Sequence, residues 1–303
     1  MTGVRRRLGA LRARADRYLA ERAAAGFAQS AVGRPTSPLH GTYVGDQRML
    51  VTTTWGGKLL VPTSDLSLMP ELVARGTYDV PFTAFVREHI QPGNVAIDVG
   101  AHIGLFTLLF AYEVWETGHV IAYEANPQNV RLLRDNVAMN YLEDRVEIVP
   151  RAVAAERGTA TFLAPQRFQM LGSIQPHRET LVVADDRADV IDRIEVETEP
   201  LDAHVGRFER IDLVKIDVEG AEEKVFAGMS GLLESGVVQR VCFELIRVAL
   251  GDDWEPFARR LKALEAGGWR FATLPDSGIP EPADLDRLLD HGRYSQVAML
   301  RAD

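Results

Sequence analysis

Cysteine occurs once in these 303 residues, as Cys242, so the chain can form neither an internal disulfide nor a cysteine-rich zinc site. A reducing, cytoplasmic compartment is the expectation from that count. Cys242 lies in an apolar run, residues 237–245, and reads as a core residue. Lysine is almost as scarce, appearing only as Lys58, Lys215, Lys224 and Lys262, the mark of a GC-rich genome. No apolar run approaches the length of a membrane-crossing helix. The arginine-rich start also lacks the apolar stretch that a signal peptide needs. A formal charge of −9 argues against broad affinity for nucleic acid. His204, His291 and the remaining histidines show no metal spacing, and His-x-x-x-His is absent, so a zinc site is not expected. The chain has no Gly-x-Gly-x-x-Gly triplet, and no Gly-Lys-Ser/Thr follows its glycines. Neither a dinucleotide fingerprint nor a P-loop is therefore present.

What is present begins at residues 95–107, Val-Ala-Ile-Asp-Val-Gly-Ala-His-Ile-Gly-Leu-Phe-Thr. This reads as a buried strand ending near Asp98, a turn opened by Gly100 and Gly104, and a helix. Residues 119–123 form a second apolar strand that ends in Glu124, twenty-four residues after Gly100. An acid at that distance can take both hydroxyls of a ribose. His102 occupies the second glycine position of a dinucleotide turn, which disfavours a nicotinamide cofactor and an oxidoreductase. An acid just before the turn would repel a pyrophosphate but suits an ammonium. S-adenosylmethionine carries one, together with a sulfonium and a ribose.

Alternating strands and helices continue along the chain, as a doubly wound α/β sheet requires. Strands are expected at 95–99, 119–123, 146–149, 213–216, 238–244, 269–273 and 295–301. Helices are expected at 104–116, 127–140, 221–234 and 255–266. Before them, 49–54 and 58–61 flank Trp55-Gly56-Gly57 as a hairpin, and 65–76 and 80–90 read as helices. Extra strands at 159–163 and 194–198 enclose a polar stretch, 164–193, too long for an idle connection. Its Gln166, Gln169, Ser173, Gln175, His177 and Arg178 suit a polyhydroxylated acceptor, so it is a candidate lid.

Three motifs now stand in order: Asp98-Val-Gly-Ala-His-Ile-Gly104, Tyr123-Glu-Ala-Asn-Pro127 and Val214-Lys-Ile-Asp-Val-Glu-Gly-Ala-Glu222. In sequence and spacing they resemble the FkbM family of methyltransferases, over roughly residues 41–245. One departure is His102, where the family more often has asparagine. The resemblance implies a class I methyltransferase core with an antiparallel last strand, preceded by a hairpin. It also implies S-adenosylmethionine as cofactor, and O-methylation of a sugar, glycolipid or polyketide-like natural product. The alternatives are N-methylation of a peptide or small amine, and a noncatalytic cofactor-binding protein.

Asp98, Gly100, His102 and Gly104 are expected beside the methionine and ribose. Glu124 should hold the ribose, Ala125 and Asn126 should flank the adenine, and Arg151 and Ala152 should pass near it. Asp217 ends its strand next to the transferred methyl, with Glu219 two residues on and Glu244 ending the neighbouring strand. These carboxylates, with His102, are the catalytic candidates. One can act as general base for an acceptor hydroxyl, or several can hold Mg²⁺ to lower the hydroxyl pKa. Glu219 also stands where an acid would cap the helix that follows. Lys215, inside the same strand, is expected in a structural ion pair.

The organisation that follows is a basic N-terminal helix and linker (1–40), a β-hairpin and helical cap (41–92), and the cofactor-binding domain (93–303). Arg5, Arg6, Arg7, Arg12, Arg14, Arg17 and Arg22 line the first segment, with Leu8, Leu11, Ala15 and Leu19 at helical spacing. It is a candidate dimerisation element, with peripheral membrane contact as the second candidate.

Overall fold

The computed structural model describes residues 40–176 and 190–301. The basic N-terminal helix, and His177 and Arg178 of the candidate lid, lie outside these residues. Strands β1 (Gly41–Gly45), β2 (Arg48–Thr52) and β3 (Lys58–Pro62) form an antiparallel meander, so the expected hairpin carries a third strand. Helices α1 (Met69–Arg75) and α2 (Val80–His89) follow. The first begins four residues later than expected. Asp65 Oδ1 accepts from the Ser67 and Leu68 backbone N–H groups, which holds a turn ahead of Pro70.

The core then alternates as β4 (Val95–Val99), α3 (Leu105–Glu113), β5 (His119–Tyr123), α4 (Pro127–Met139) and β6 (Val146–Val149). The short β7 (Ala152–Val153) pairs with β9 (Ile191–Glu199), which also pairs with β8 (Gly158–Pro165) in a separate small sheet. The chain returns to the core with β10 (Leu213–Ile216), α5 (Glu222–Ala227), α6 (Ser230–Ser235) and β11 (Arg240–Ile246). It ends with α7 (Arg247–Leu250), α8 (Trp254–Ala266), β12 (Trp269–Thr273), β13 (Glu281–Pro282), α9 (Leu285–His291) and β14 (Arg293–Arg301).

The main sheet has the order β13-β12-β14-β11-β10-β4-β5-β6. β6, β5, β4, β10 and β11 are mutually parallel, and β14 runs antiparallel to both β11 and β12. This is the class I methyltransferase arrangement, with the switch in strand order between β4 and β10. Ligand crevices open at that switch, beyond the carboxyl ends of the strands. One face of the sheet carries Ile97, Val214, Phe243 and Val297, packed on Phe226 and Phe257. The other carries Ala96, Cys242 and Ala298 beneath Phe82, Phe85, Phe106 and Phe110.

Four elements differ from the sequence reading, and two of these differences have local causes. The helix expected over 221–234 is two helices, because Gly228 lies where a Cβ would stand 2.1 Å from the Ala154 carbonyl oxygen. The strand expected at 238–244 is displaced to 240–246, and that at 295–301 starts earlier, at Arg293. Helix α9 was not expected, although Asp284 accepts from Arg287 N–H at its start and Gly292 (φ 59°) ends it, both ordinary cap signals.

Asn136 couples the meander to the core. It is fully buried; its Oδ1 accepts from Leu60 N–H at 2.7 Å, and its Nδ2 donates to Leu60 O (3.2 Å) and Ile103 O (2.8 Å). Asn136→Ala strands three backbone groups away from water, each costing about 1–3 kcal/mol when unmet. The expected outcome is a loss of about 3 kcal/mol or more in urea unfolding, with faster proteolysis of the meander. An unchanged unfolding midpoint would show that the meander docks without this residue.

Candidate active site

Lys215 is buried in β10 with its Nζ 3.3 Å from Asp98 Oδ1 and 3.3 Å from Asp217 Oδ2. Burial alone would lower its pKa, but Asp217 and Asp98 outweigh that and hold the ammonium above its ordinary value. Asp98 also accepts from Thr107 Oγ1 at 2.6 Å. The expected structural ion pair of Lys215 is thus in place. It uses up Asp98, whose carboxylate is fully buried and does not line the cavity as expected.

The cavity lies at the carboxyl ends of β4, β5 and β10 and holds about 540 Å³ of empty space, counting the part open to solvent. Gly100, His102, Glu124, Ala125, Arg151, Ala152 and Asp217 line it, as expected of cofactor residues. Gly104, Asn126, Glu219 and Glu244 do not. Gly104 (φ 98°) instead admits Leu133, whose Cδ1 lies 2.6 Å from the position a Cβ would take. Gly100 (φ 81°) is required by the Asp217 carbonyl oxygen, 1.9 Å from such a Cβ. Both glycines are thus required by protein neighbours, whatever else the turn serves.

Glu124 is the best-anchored polar group in the cavity. Its Oε2 accepts from His102 N–H and its Oε1 from Asn126 N–H, both at 2.7 Å. Burial pushes its pKa up to about 7, against the pull of those hydrogen bonds. Asn126 is thus a support for Glu124 and the N-cap of α4, accepting from Gln128 N–H at 3.0 Å. Both ring nitrogens of His102 are buried without a hydrogen-bond partner. Burial lowers its pKa, opposed by the Asp65 and Asp217 charges. Phe162, Met170 and Ile174 give the cavity an apolar wall that sequence reasoning missed.

Of the candidate lid, Ser173 donates to Val218 O at 2.9 Å and lines the cavity with Gln169. Gln175 does not face an acceptor: it donates to Leu250 O (3.0 Å) and Asp253 Oδ2 (2.9 Å). Gln166 donates to Asp192 at 3.1 Å. Arg151 pairs with Glu197 at 2.9 Å and Glu199 at 3.4 Å.

Beyond Asp217 the carboxylates gather. Asp217, Glu219 and Glu244 each bring one oxygen within 4.8 Å of the others, all partly exposed. Two residues from the N-terminal cap face them and carry no motif. Burial, then the Asp217 charge, pushes the Tyr78 hydroxyl pKa up. Burial raises Asp79 to about 6, opposed by the Phe82 N–H and assisted by Asp217.

Residues 98–292, over half of the chain, match the family described as the methyltransferase FkbM domain. This chain belongs to the FkbM methyltransferase family. A curated relative, methyltransferase sdnD of Sordaria araneosa, is 26% identical over 181 residues, covering 53% of this chain and 66% of its own length. Among solved structures, an FkbM methyltransferase from Methylobacillus flagellatus aligns at 10% identity with a TM-score of 0.42, over 72% of this chain and half of that one. An S-adenosylmethionine-dependent O-methyltransferase from Thermotoga maritima aligns at 16% identity and TM-score 0.39, over 84% and 78%. Likeness of that degree says nothing of acceptor or mechanism. Family membership places the chain among methyltransferases and stands against the oxidoreductase reading. Among the described residues no helix is long and apolar enough to cross a membrane.

Removing Lys215 from between two acids leaves Asp98 charged and buried. Lys215→Met should cost about 3–5 kcal/mol in chemical unfolding. The double variant Asp98→Asn/Lys215→Met should recover part of that loss. Equal losses in both would show that the pair contributes through packing alone.

Proposed function

We propose that this FkbM protein transfers the methyl group of S-adenosylmethionine to a hydroxyl of a sugar, glycolipid or polyketide-like acceptor. The carrying observation is that one cavity has Glu124 at one end and Asp217 at the other, with the acid cluster just beyond. The residues present fit the cofactor. Glu124 accepts twice at Oε1 and once at Oε2, which leaves Oε2 a lone pair for a ribose hydroxyl; the Phe162–Met170–Ile174 wall accepts a flat ring, and His102 offers two unmatched nitrogens. S-adenosylmethionine supplies, when bound, an electrophilic methyl carbon on a sulfonium.

The chain's own residues must align the acceptor oxygen with that carbon, take its proton and exclude water. Glu124 fixes the nucleoside end. Asp217, held by Lys215, carries negative charge to the sulfonium end. A carboxylate among Asp217, Glu219 and Glu244, or His102, accepts the hydroxyl proton as the oxygen–carbon bond forms and the sulfur–carbon bond breaks. Mg²⁺ held by the three carboxylates is the other way to activate the hydroxyl. The same excess of acid favours a second acceptor class, an amine drawn in as ammonium and methylated on nitrogen.

S-adenosylhomocysteine binding, measured by calorimetry, tests the cofactor assignment. Micromolar affinity is expected, weakened at least about ten-fold by Glu124→Ala. A ribose hydroxyl donates best to the ionised carboxylate, and Glu124 ionises at about 7. Affinity of the wild type should therefore rise by up to about ten-fold between about pH 6 and pH 8, a slope that Glu124→Ala abolishes. No binding at either pH would overturn the placement of the cofactor.

A further inference from the structure

We propose that Asp217, Glu219 and Glu244 form a divalent-cation site completed by Gln296, a residue that no motif singles out. The strand registers place these groups. Across the face beneath α2, Asp98, Lys215, Cys242 and Ala298 stand in one row on β4, β10, β11 and β14. Two residues nearer the crevice, the next row is Asp217, Glu244 and Gln296. Phe243 pairs with Val297 and Leu245 with Tyr294, so Glu244 is met by a bulge in β14 made of Ser295 and Gln296. Ser295 is exposed, whereas Gln296 is 7% exposed and lies on the same face as Ala298 and Glu244. Residues opposite one another across an antiparallel pair bring their Cβ atoms to about 5 Å, so Gln296 is directed at Glu244.

Two observations point to a ion there. Three carboxylate oxygens lie within 4.8 Å of one another, a repulsive arrangement that a cation or proton between them relieves. Lys215 reaches Asp217 but is shared with Asp98. Independently, the side-chain carbonyl oxygen of Gln296 is buried with no hydrogen-bond partner. A buried carbonyl oxygen without a donor is costly unless something positive meets it. Carboxylates with an amide oxygen are an all-oxygen set, suited to Mg²⁺, Mn²⁺ or Ca²⁺ and not to zinc. Bulges beside active sites re-aim single side chains, as this one does.

This deepens the methyl-transfer reading and names a feature of its acceptor. A cation at this position, next to Asp217, selects an acceptor with two adjacent oxygens, such as a vicinal diol, and lowers the pKa of the hydroxyl to be methylated.

Titration of the metal-free full chain with Mn²⁺, followed by the electron paramagnetic resonance of the free ion, tests the site without cofactor or acceptor. One ion per chain is expected, displaced by Mg²⁺. Gln296→Leu should weaken binding at least about ten-fold, as loss of a metal-site oxygen does, and Gln296→Glu should restore or tighten it. Glu244→Gln should weaken it likewise, and being partly exposed it serves if the buried Leu variant fails to fold. Absence of stoichiometric Mn²⁺ binding overturns the site. Wild-type affinity in folded Gln296→Leu overturns the assignment of Gln296. Because S-adenosylhomocysteine binding is measured separately, failure here leaves the cofactor assignment standing, and the reverse holds.

Discussion

Lys215 is the point on which the crevice is built. A lysine in the middle of a parallel sheet is tolerated only when its charge is met, and here it is met twice, from β4 and from the end of β10. The pairing ties together the two strands between which the sheet order switches. It also fixes the direction of the Asp217 carboxylate, while the carbonyl of the same residue fills the space that Gly100 leaves. The turn after β4 and the turn after β10 are therefore one packed unit, and everything placed on either inherits its position. Phe106, with its ring centroid 5.4 Å from the ammonium, closes the same cluster from α3.

Around this unit the chain adds walls from distant segments. The meander is held through Asn136, and its turn at Asp65–Ser67 meets the 167–170 segment through Leu66 N–H to Arg167 O and Met170 N–H to Ser67 Oγ. The small sheet is anchored by Tyr123, whose hydroxyl donates to Glu199 at 3.0 Å and lies 2.7 Å from His204 Nε2. Met170 and Ser173 line the cavity beyond it, so an insertion between core strands supplies the outer wall. One wall of the cavity is thereby built from core turns that carry Glu124, and another from the insertion that carries Met170 and Ser173.

Much of this was legible in sequence where one physical signal dominates. β4, β5, β6, β10 and β12 fall at their expected bounds; the first two and β10 are short apolar runs closed by glycine or an acid, and β6 is closed by Pro150. The cavity residues of the first two motifs follow from those strands by direction alone. The failures lie where a long-range contact decides. Asp98 ends a strand as a ligand residue would, yet its partner is a lysine 117 positions on, visible only once β4 and β10 are paired. The break at Gly228 depends on the Ala154 carbonyl. Gln296 has no motif at all; the bulge that turns it toward Glu244 is a property of two strands in register. Tyr78 and Asp79 reach the acids from a segment whose sequence reads only as a helix start.

Backbone strain is present in both of the packed turns. His102 (φ 52°) and Glu219 (φ 55°) are non-glycine residues in the left-handed region, one in each of the two packed turns. Such conformations cost of the order of 1 kcal/mol or more each, and glycine would relieve both. Asparagine, more often found at the His102 position in the resembled family, tolerates that conformation better than most. The histidine accepts the strain while leaving both ring nitrogens without a hydrogen-bond partner in the cavity wall. Glu219 accepts the same strain to join Asp217 and Glu244. A helix-capping role does not account for that, because the first helical turn of α5 already carries Glu222, whose Oε1 accepts from Gly220 N–H at 3.2 Å. The two strained residues thus stand one in each packed turn, beside Glu124 and in the acid cluster, on a frame that the Lys215 ion pairs hold together.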